Sequence, residues 1–155
     1  MTDRASTTGP IVRDATDDDI DGLLAIEQAF REEGAPDWSI MPSDVFAFKV
    51  KAGSLLVATR DGRLLGYLMW TLLWGFPFIE YARVLPGHRN HGVGTRMLER
   101  LASNSAARGH LRIASSTTDP AALRWHQRNG FHRIGEIAWV WGRAHEVMLI
   151  KELDG

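Results

Sequence analysis

The sequence predicts a mixed α/β fold in which helices lie on both faces of a central, mostly antiparallel sheet of about seven strands. Two observations support this prediction. Short apolar runs follow one another across turns, and the Asp61-Gly62 pair is a strong signal for an antiparallel hairpin. Further along, an apolar run at 78–85, a helical pattern after Gly94 and an apolar run at 111–115 have the order of a β-α-β crossover. The predicted element order is β-α-α-β-β-β-α-β-α-β-β.

The first half of the chain is predicted to hold a strand, two helices and a hairpin. Thr16 precedes three aspartates that suit the positive end of a helix dipole, so it is the expected N-cap of the first helix. Ser43 is the expected N-cap of the second helix, and Pro77 is expected to break the second arm of the hairpin. The predicted elements are a strand at 11–13, a helix from Thr16 to about Glu33, a helix from Ser43 to Val50, and hairpin arms at 54–60 and 63–74.

The second half is predicted to alternate strands with two amphipathic helices. Apolar residues from Val93 to Leu101 recur on one face of the first helix, which predicts a buried stripe. Asp119 is the expected N-cap of the second helix. The predicted elements are a strand at 78–85, a helix that ends near Gly109, a strand at 111–115, a helix from Asp119 to Gly130, and strands at 131–138 and 145–153.

Length and composition limit the class of protein. The 155 residues suffice for one domain with a substantial core, expected at 10–155 after a flexible polar tail at 1–9. A net charge of -1 argues against a nucleic-acid binder that depends on bulk charge, and the absence of cysteine excludes disulfides, thiolate metal sites and a cysteine nucleophile. The start of the chain does not resemble a signal peptide, and no apolar run approaches the roughly 18 residues of a membrane span. We therefore expect a soluble cytoplasmic protein without a nucleic-acid or membrane partner, with a homodimer as the candidate assembly.

The stretch from Arg89 to Gly94 carries the strongest functional signal. It follows an apolar strand and opens a helix, whose first amides lack internal partners and lie at the positive end of the helix dipole. Glycines at positions 92 and 94 let backbone N–H groups approach a phosphate. Met97 is too large for the third small position of a dinucleotide-binding fingerprint, and the Gly-Lys-Ser/Thr of a P-loop does not occur. The remaining interpretations are a diphosphate held by the backbone and a plain turn into a surface helix.

Two segments resemble motifs of the GNAT N-acetyltransferases. Arg89-Asn90-His91-Gly92-Val93-Gly94 resembles that family's Arg/Gln-x-x-Gly-x-Gly/Ala motif. The segment 119–131, which closes in Gly130-Phe131, resembles the family's later helix. Together with the element order, the resemblance covers about residues 10 to 153. It implies a GNAT-like fold, acetyl-CoA as cosubstrate and direct transfer of the acetyl group to a primary amine.

The resemblance also implies which residues hold the cosubstrate. The pantetheine arm would pair like an added strand with the backbone of Ala82, Arg83 and Val84. His88 and His91 have i,i+3 spacing, but without a third ligand we expect no metal. For Asp119, a role as helix N-cap is the alternative to a contact with the CoA arm. The other implied CoA-binding residues are Arg89, Asn90, His91, Gly92, Val93, Gly94, Thr95, Asp119 and Ala122.

Glu80 and His126 are the candidate catalytic residues. Glu80 lies nine residues before Arg89, where polyamine-type members of the family carry a glutamate base, and apolar neighbours would strengthen it as a base. The alternative is a strand-edge glutamate paired with a cation. His126 lies five residues before Phe131, where many members carry a tyrosine that protonates the departing thiolate. The alternative is a histidine that packs in the fold or lies exposed on its helix.

The acceptor amine is expected to meet the first helix and the loop that follows it. Glu27, Glu32, Glu33 and Asp37 offer carboxylates there, and Trp38, Trp70, Trp74 and Trp139 offer aromatic faces. Carboxylates beside aromatic rings suit a cationic amine such as a polyamine or a lysine-like side chain. Glu27, Glu33, Trp38, Trp74 and Glu80 are the predicted acceptor-binding residues. An amino acid, an aminoglycoside or a peptide N-terminus are other acceptors, and a non-catalytic acyl-CoA-binding regulatory module is the alternative from another class.

Overall fold

The structure is a computed structural model that describes residues 9–141 and 144–154, without the side chains of residues 139–141 and 144. It confirms the predicted mixed α/β fold and the predicted element order. The predicted tail at 1–9 lies outside the described residues, except for Gly9. The helices are α1 (Ile20–Glu32), α2 (Ser43–Ala52), α3 (Val93–Ala107) and α4 (Pro120–Arg128). The strands are β1 (Ile11–Asp14), β2 (Leu55–Arg60), β3 (Arg63–Leu73), β4 (Phe76–Val84), β5 (Arg112–Thr117), β6 (His132–Trp141) and β7 (Ala144–Glu152).

The strands form one seven-stranded sheet with the order β1-β2-β3-β4-β5-β7-β6. β1 pairs with β2, β5 with β7, and β6 with β7, in each case antiparallel. β4 and β5 are parallel, as expected for two strands joined by a crossover through α3. By contact density the chain divides into two units, which we call the first unit (residues up to 67, with 83–97) and the second unit (68–82, with 98 onward). A single domain at 10–155 stays a prediction.

Two hairpin turns use left-handed backbone. Asp61 and Gly62 have φ values of 51° and 75°, which confirms the predicted two-residue turn between β2 and β3. Trp74 and Gly75 have φ values of 53° and 85° and form a second turn of the same kind between β3 and β4. The prediction that Pro77 interrupts the second hairpin arm is therefore wrong, because the turn precedes Pro77 and Pro77 lies inside β4. Left-handed backbone is rare for a residue as large as tryptophan, so this turn has little local signal in the sequence.

The helix starts were predicted with mixed success. Thr16 is followed by a short 3-10 turn at Asp17–Asp19 before α1 begins, and its N–H donates to the Asp19 carboxylate at 2.8 Å. Ser43 is wrong as an N-cap, since α2 begins at Ser43 itself and no side chain caps it. Asp119 is confirmed as the N-cap of α4, because its carboxylate accepts from the Ala121 N–H at 3.0 Å.

Both units contribute buried apolar residues. The predicted stripe on α3 is confirmed, with its residues from Val93 to Leu101 buried at every expected position. In the first unit, β3 approaches the end of β4 so closely at Gly66 that an added Cβ would lie 2.6 Å from the Arg83 carbonyl oxygen. The Leu85 N–H donates to the Leu65 carbonyl at 2.7 Å beside this contact. The backbone at the end of β4 is thus held at close range just before the motif loop begins.

Candidate functional site

The segment from Gly87 to Gly92, which we call the anion loop, connects β4 to α3. Three of its residues have left-handed backbone, namely Gly87, Asn90 and Gly92, with φ values of 88°, 62° and 79°. The Gly92 carbonyl accepts from the Arg96 N–H at 3.0 Å, so the helix is entered at Gly92 and its first turn begins at Val93. A Cβ added at Gly87 or Gly92 would meet nothing within 4 Å. Open space thus lies beside left-handed backbone at the positive end of a long helix, which suits a phosphate.

The side chain of Arg89 leaves the anion loop and contacts α1. Its Nη2 donates to Glu33 Oε2 at 2.8 Å and its Nη1 to Glu33 Oε1 at 3.3 Å. The guanidinium carbon also lies 4.8 Å from the centre of the Phe30 ring. Arg89 therefore connects the loop to the helix, and its predicted contact with CoA stays a prediction.

Glu27 is the centre of a buried polar network in the first unit. It is 1% exposed, and its carboxylate accepts hydrogen bonds from three different donors. Tyr67 Oη donates to Oε1 at 2.5 Å, while Arg83 Nη1 and the Met41 N–H donate to Oε2 at 2.6 and 2.7 Å. A buried carboxylate with a cation and two further donors is fully satisfied within the chain. The geometry gives Glu27 a role in holding the chain, and its predicted contact with an acceptor stays a prediction.

β4 and β5 pair over only a short part of their length. Within the residues that the structure describes, their register joins Phe78 with Ala114 and Ile79 with Ser115. β4 continues from there to Val84 and β5 to Thr117. The last residues of β4, among them the predicted pantetheine partners at 82–84, therefore lie beyond the registered pairing with β5.

Glu80 follows directly after the last registered pair of β4. It is exposed, so the apolar surroundings expected from its sequence neighbours are wrong. An exposed carboxylate on a strand can be reached by a solvated amine. Its role as a general base stays a prediction.

His126 is buried in the second unit, so an exposed helix histidine is excluded. Its Nδ1 lies 2.6 Å from the Ala122 carbonyl oxygen, and its Nε2 lies 2.7 Å from Ser115 Oγ. Because a carbonyl can only accept, Nδ1 carries the proton and Nε2 of the neutral ring accepts from the Ser115 hydroxyl. The ring also packs edge-to-face against Trp125 and Phe131, with centroids 5.0 Å away in each case.

Burial sets the protonation of this ring. Loss of hydration lowers the pKa of His126 below its usual 6.5, and the hydrogen bond to the Ala122 carbonyl only partly opposes that effect. The neutral imidazole therefore predominates at neutral pH, with its proton directed at α4. This arrangement favours the packing alternative over the acid.

The remaining predicted acceptor residues belong to different elements. Trp38 lies exposed in a short 3-10 turn between α1 and α2. Trp74 is 73% exposed at the β3–β4 turn, with the ring of Phe76 at 6.5 Å between centroids. Glu33 is engaged by Arg89, and the side chain of Trp139 lies outside the described residues.

The described parts of the chain contain neither a membrane-spanning helix nor a cluster of metal ligands. None of the helices in residues 9–141 and 144–154 is both long and apolar enough to cross a membrane. In the same residues, no group of three or more histidine, aspartate or glutamate side chains is placed to hold a metal ion.

Comparison with known proteins decides the family. The model of the acetyltransferase (GNAT) family matches residues 23–131, which is more than half of the chain. The chain belongs to the GNAT family. A search of curated proteins finds no match to the chain.

Solved GNAT structures share the fold at low sequence identity. A GNAT-family acetyltransferase from Bacillus cereus has a TM-score of 0.81 and 19% identity, covering 96% of this chain and 100% of its own. The ribosomal-protein-S18-alanine N-acetyltransferase from Escherichia coli has a TM-score of 0.79 and 15% identity, with coverages of 95% and 96%. An aminoglycoside 6′-N-acetyltransferase complexed with coenzyme A has a TM-score of 0.78 and 14% identity, with coverages of 94% and 98%. At these identities the likeness shows the GNAT fold alone.

Sequence reasoning missed three residues that shape the site of this GNAT chain. Phe30 was not singled out within the predicted first helix, yet it contacts two guanidinium groups. Tyr67 and Ser115 were counted as strand residues, yet each bonds a predicted site residue. The three-residue spacing of Glu27, Phe30 and Glu33 on one helical face was the available signal.

Proposed function

We propose that this chain is an acetyl-CoA-dependent N-acetyltransferase that acetylates a primary amine of a small molecule, with Glu80 as general base. The observation that carries the proposal is the anion loop, where left-handed backbone and open space meet the start of α3. Membership of the GNAT family supports the same donor. The divergence of β4 from its registered pairing with β5 supports a pantetheine arm that pairs with residues 82–84.

The chain's contribution to the reaction is proton transfer and positioning. Acetyl-CoA, when bound, supplies an acetyl thioester. An alkylammonium has a pKa near ~10, so an acceptor must lose a proton before it can attack. Glu80 is exposed and takes that proton, directly or through a water. The amine nitrogen then bonds to the acetyl carbon, the carbon–sulfur bond breaks, and the nitrogen's second proton is transferred to the leaving sulfur.

We assign His126 to packing and positioning of α4 rather than to protonation of sulfur. Its proton is held on Nδ1 by the Ala122 carbonyl, and its Nε2 accepts from Ser115. A general acid would need a proton on a nitrogen that faces the leaving group. A tyrosine at this position in other family members would supply such a proton, so this chain departs from that pattern.

A peptide N-terminus is the second candidate acceptor. One of the similar structures is, by its description, an N-acetyltransferase of a ribosomal-protein alanine, and another is an aminoglycoside N-acetyltransferase. Because both share this fold, the fold does not choose between a peptide and a small amine. The carboxylates Glu27 and Glu33 support a polyamine less than expected, since each is paired with an arginine of the chain.

The test combines CoA binding with turnover. Isothermal titration measures binding of CoA, and release of free thiol from acetyl-CoA is followed over polyamines, amino acids, aminoglycosides and short peptides. We expect Glu80→Gln to lower kcat/KM by about 100-fold or more while the Kd for CoA stays the same. Glu99→Gln, at an exposed position on α3, is the matched control and should match the wild type. Saturable CoA binding without thiol release for any acceptor would favour a regulatory module instead.

A further inference from the structure

One face of α1 contacts both arginines of the motif region. Glu27, Phe30 and Glu33 follow one another at intervals of three residues, which places them side by side on the helix. Each of them touches Arg83, Arg89 or both. We call these five residues the charge ladder: Glu27, Arg83, Phe30, Arg89 and Glu33.

The charge ladder alternates carboxylates and guanidinium groups around one aromatic ring. The Arg83 guanidinium lies 4.7 Å from the centre of the Phe30 ring, and the Arg89 guanidinium lies 4.8 Å from it. Each arginine has a carboxylate of its own, at 2.6 Å for Glu27 and 2.8 Å for Glu33. Two like charges can thus share one ring, because each is compensated on α1.

One end of the charge ladder lies in the anion loop, and the other end contacts the segment between α1 and α2. Arg89 belongs to the anion loop. Glu27 accepts from the N–H of Met41, which belongs to the segment between α1 and α2. Met41 lines a pocket of about 300 Å³ together with Leu24, Gln28, Arg31, Ile40 and Pro42. The charge ladder therefore connects the anion loop to the wall of a pocket beside α1.

Charge at the anion loop would be transmitted along these contacts. A diphosphate there adds negative charge next to Arg89 and competes with Glu33 for the guanidinium. A shift of Arg89 changes its contact with the Phe30 ring. The Arg83 guanidinium contacts the same ring, so it is affected in turn. Arg83 is buried and bonded to Glu27, so a displacement reaches the Met41 N–H.

We propose that the charge ladder positions the segment that carries Met41 in response to CoA at the anion loop, with Phe30 and Arg89 as positioning residues. The inference rests on the proposed function and on the sequence-based prediction that the acceptor meets α1 and the loop that follows it. It goes beyond that function by coupling binding of the donor to the segment between α1 and α2, which is predicted to meet the acceptor. The exposed part of the ladder allows a clean test, because the Arg89–Glu33 pair, about 42% and 45% exposed, contributes little to stability.

The experiment follows the Met41 amide in the full chain by hydrogen exchange and by its NMR signal while CoA is titrated. In the wild type we expect CoA to slow exchange at Met41 by about fivefold or more. In Glu33→Gln and Phe30→Leu that response should shrink or vanish, while CoA still binds. Glu99→Gln, at an exposed position on α3, is the control for a lost negative charge and should respond like the wild type.

Kinetics supply a readout that a purely structural role would not move. We expect Phe30→Leu to raise KM for the acceptor by about fivefold or more with little change in kcat. CoA that binds saturably without any response at Met41, or a full response in both variants, would overturn the coupling and leave the proposed function standing. A wild type that binds no CoA would overturn the proposed function and the coupling with it. Glu33→Gln keeps the test valid if Phe30→Leu fails to fold.

Discussion

Glu27 of the first unit and His126 of the second are both buried ionisable residues, and both were expected to act on substrates. The buried Glu27 carboxylate has a guanidinium and two further donors in place of the water it has lost. His126 has only a hydroxyl and a carbonyl as partners, so burial favours its neutral form. The difference lies in the partners, because a buried charge needs an opposite charge or hydrogen-bond donors to replace its lost hydration. Three measurements would break or sharpen this contrast.

The largest effect is expected when Glu27 loses its cation. Arg83→Met leaves a buried carboxylate with neutral donors only, and we expect the free energy of unfolding to fall by about 3–5 kcal/mol. Denaturant unfolding measures the change. Arg89→Met removes the exposed arginine from the same ring and should cost less than about 1 kcal/mol. Equal losses in the two variants would show that burial of the Glu27–Arg83 pair does not set its energy.

A smaller loss is expected at the neutral pair. His126→Phe keeps an aromatic ring but leaves the buried Ser115 hydroxyl without its acceptor, which should cost about 1–3 kcal/mol. The double variant with Ser115→Ala should recover part of the loss. We expect kcat per folded molecule to stay near the wild type under conditions where the variant is folded. A loss of kcat of about 100-fold in the folded variant would instead restore His126 as an acid.

The smallest effect is expected in the pH dependence of stability. The folded chain holds the pKa of His126 below 6.5, while the unfolded chain titrates near 6.5. Below that pH the unfolded state binds a proton that the folded state does not, so stability falls as the pH falls from about 6.5 toward the folded pKa. The slope from one proton is at most about 1.4 kcal/mol per pH unit. His126→Phe should flatten this part of the curve, and an unchanged slope would contradict the origin in His126.

The element order and the anion loop could be predicted because each rests on local signals. Asp61-Gly62 specifies its turn within two residues, and Asp119 specifies the start of α4 within three. The partners of Glu27 could not be predicted, since Tyr67 and Arg83 lie 40 and 56 residues further along the chain. The turn at Trp74-Gly75 was missed for a different reason, because tertiary structure there imposes a backbone that the side chain does not favour.

The same limit applies to the candidate site. The motif containing Arg89 was recognisable from its neighbours in sequence. That its side chain would turn toward Phe30 and Glu33 depends on how α1 packs, and no short pattern reports packing. The exposure of Glu80 and the burial of His126 also depend on packing, so no short sequence pattern predicts them.

Gly66 has a consequence for how this chain can vary. A single methyl group there would collide with backbone of β4, at Arg83, and backbone cannot swing aside as a long side chain does. Gly62 and Gly92 have open space around them and need only a residue that accepts left-handed backbone, such as asparagine. Among descendants of this sequence, substitutions of Gly66 should therefore not be tolerated, even though the residue bears no functional group. The glycines of the turns can be replaced.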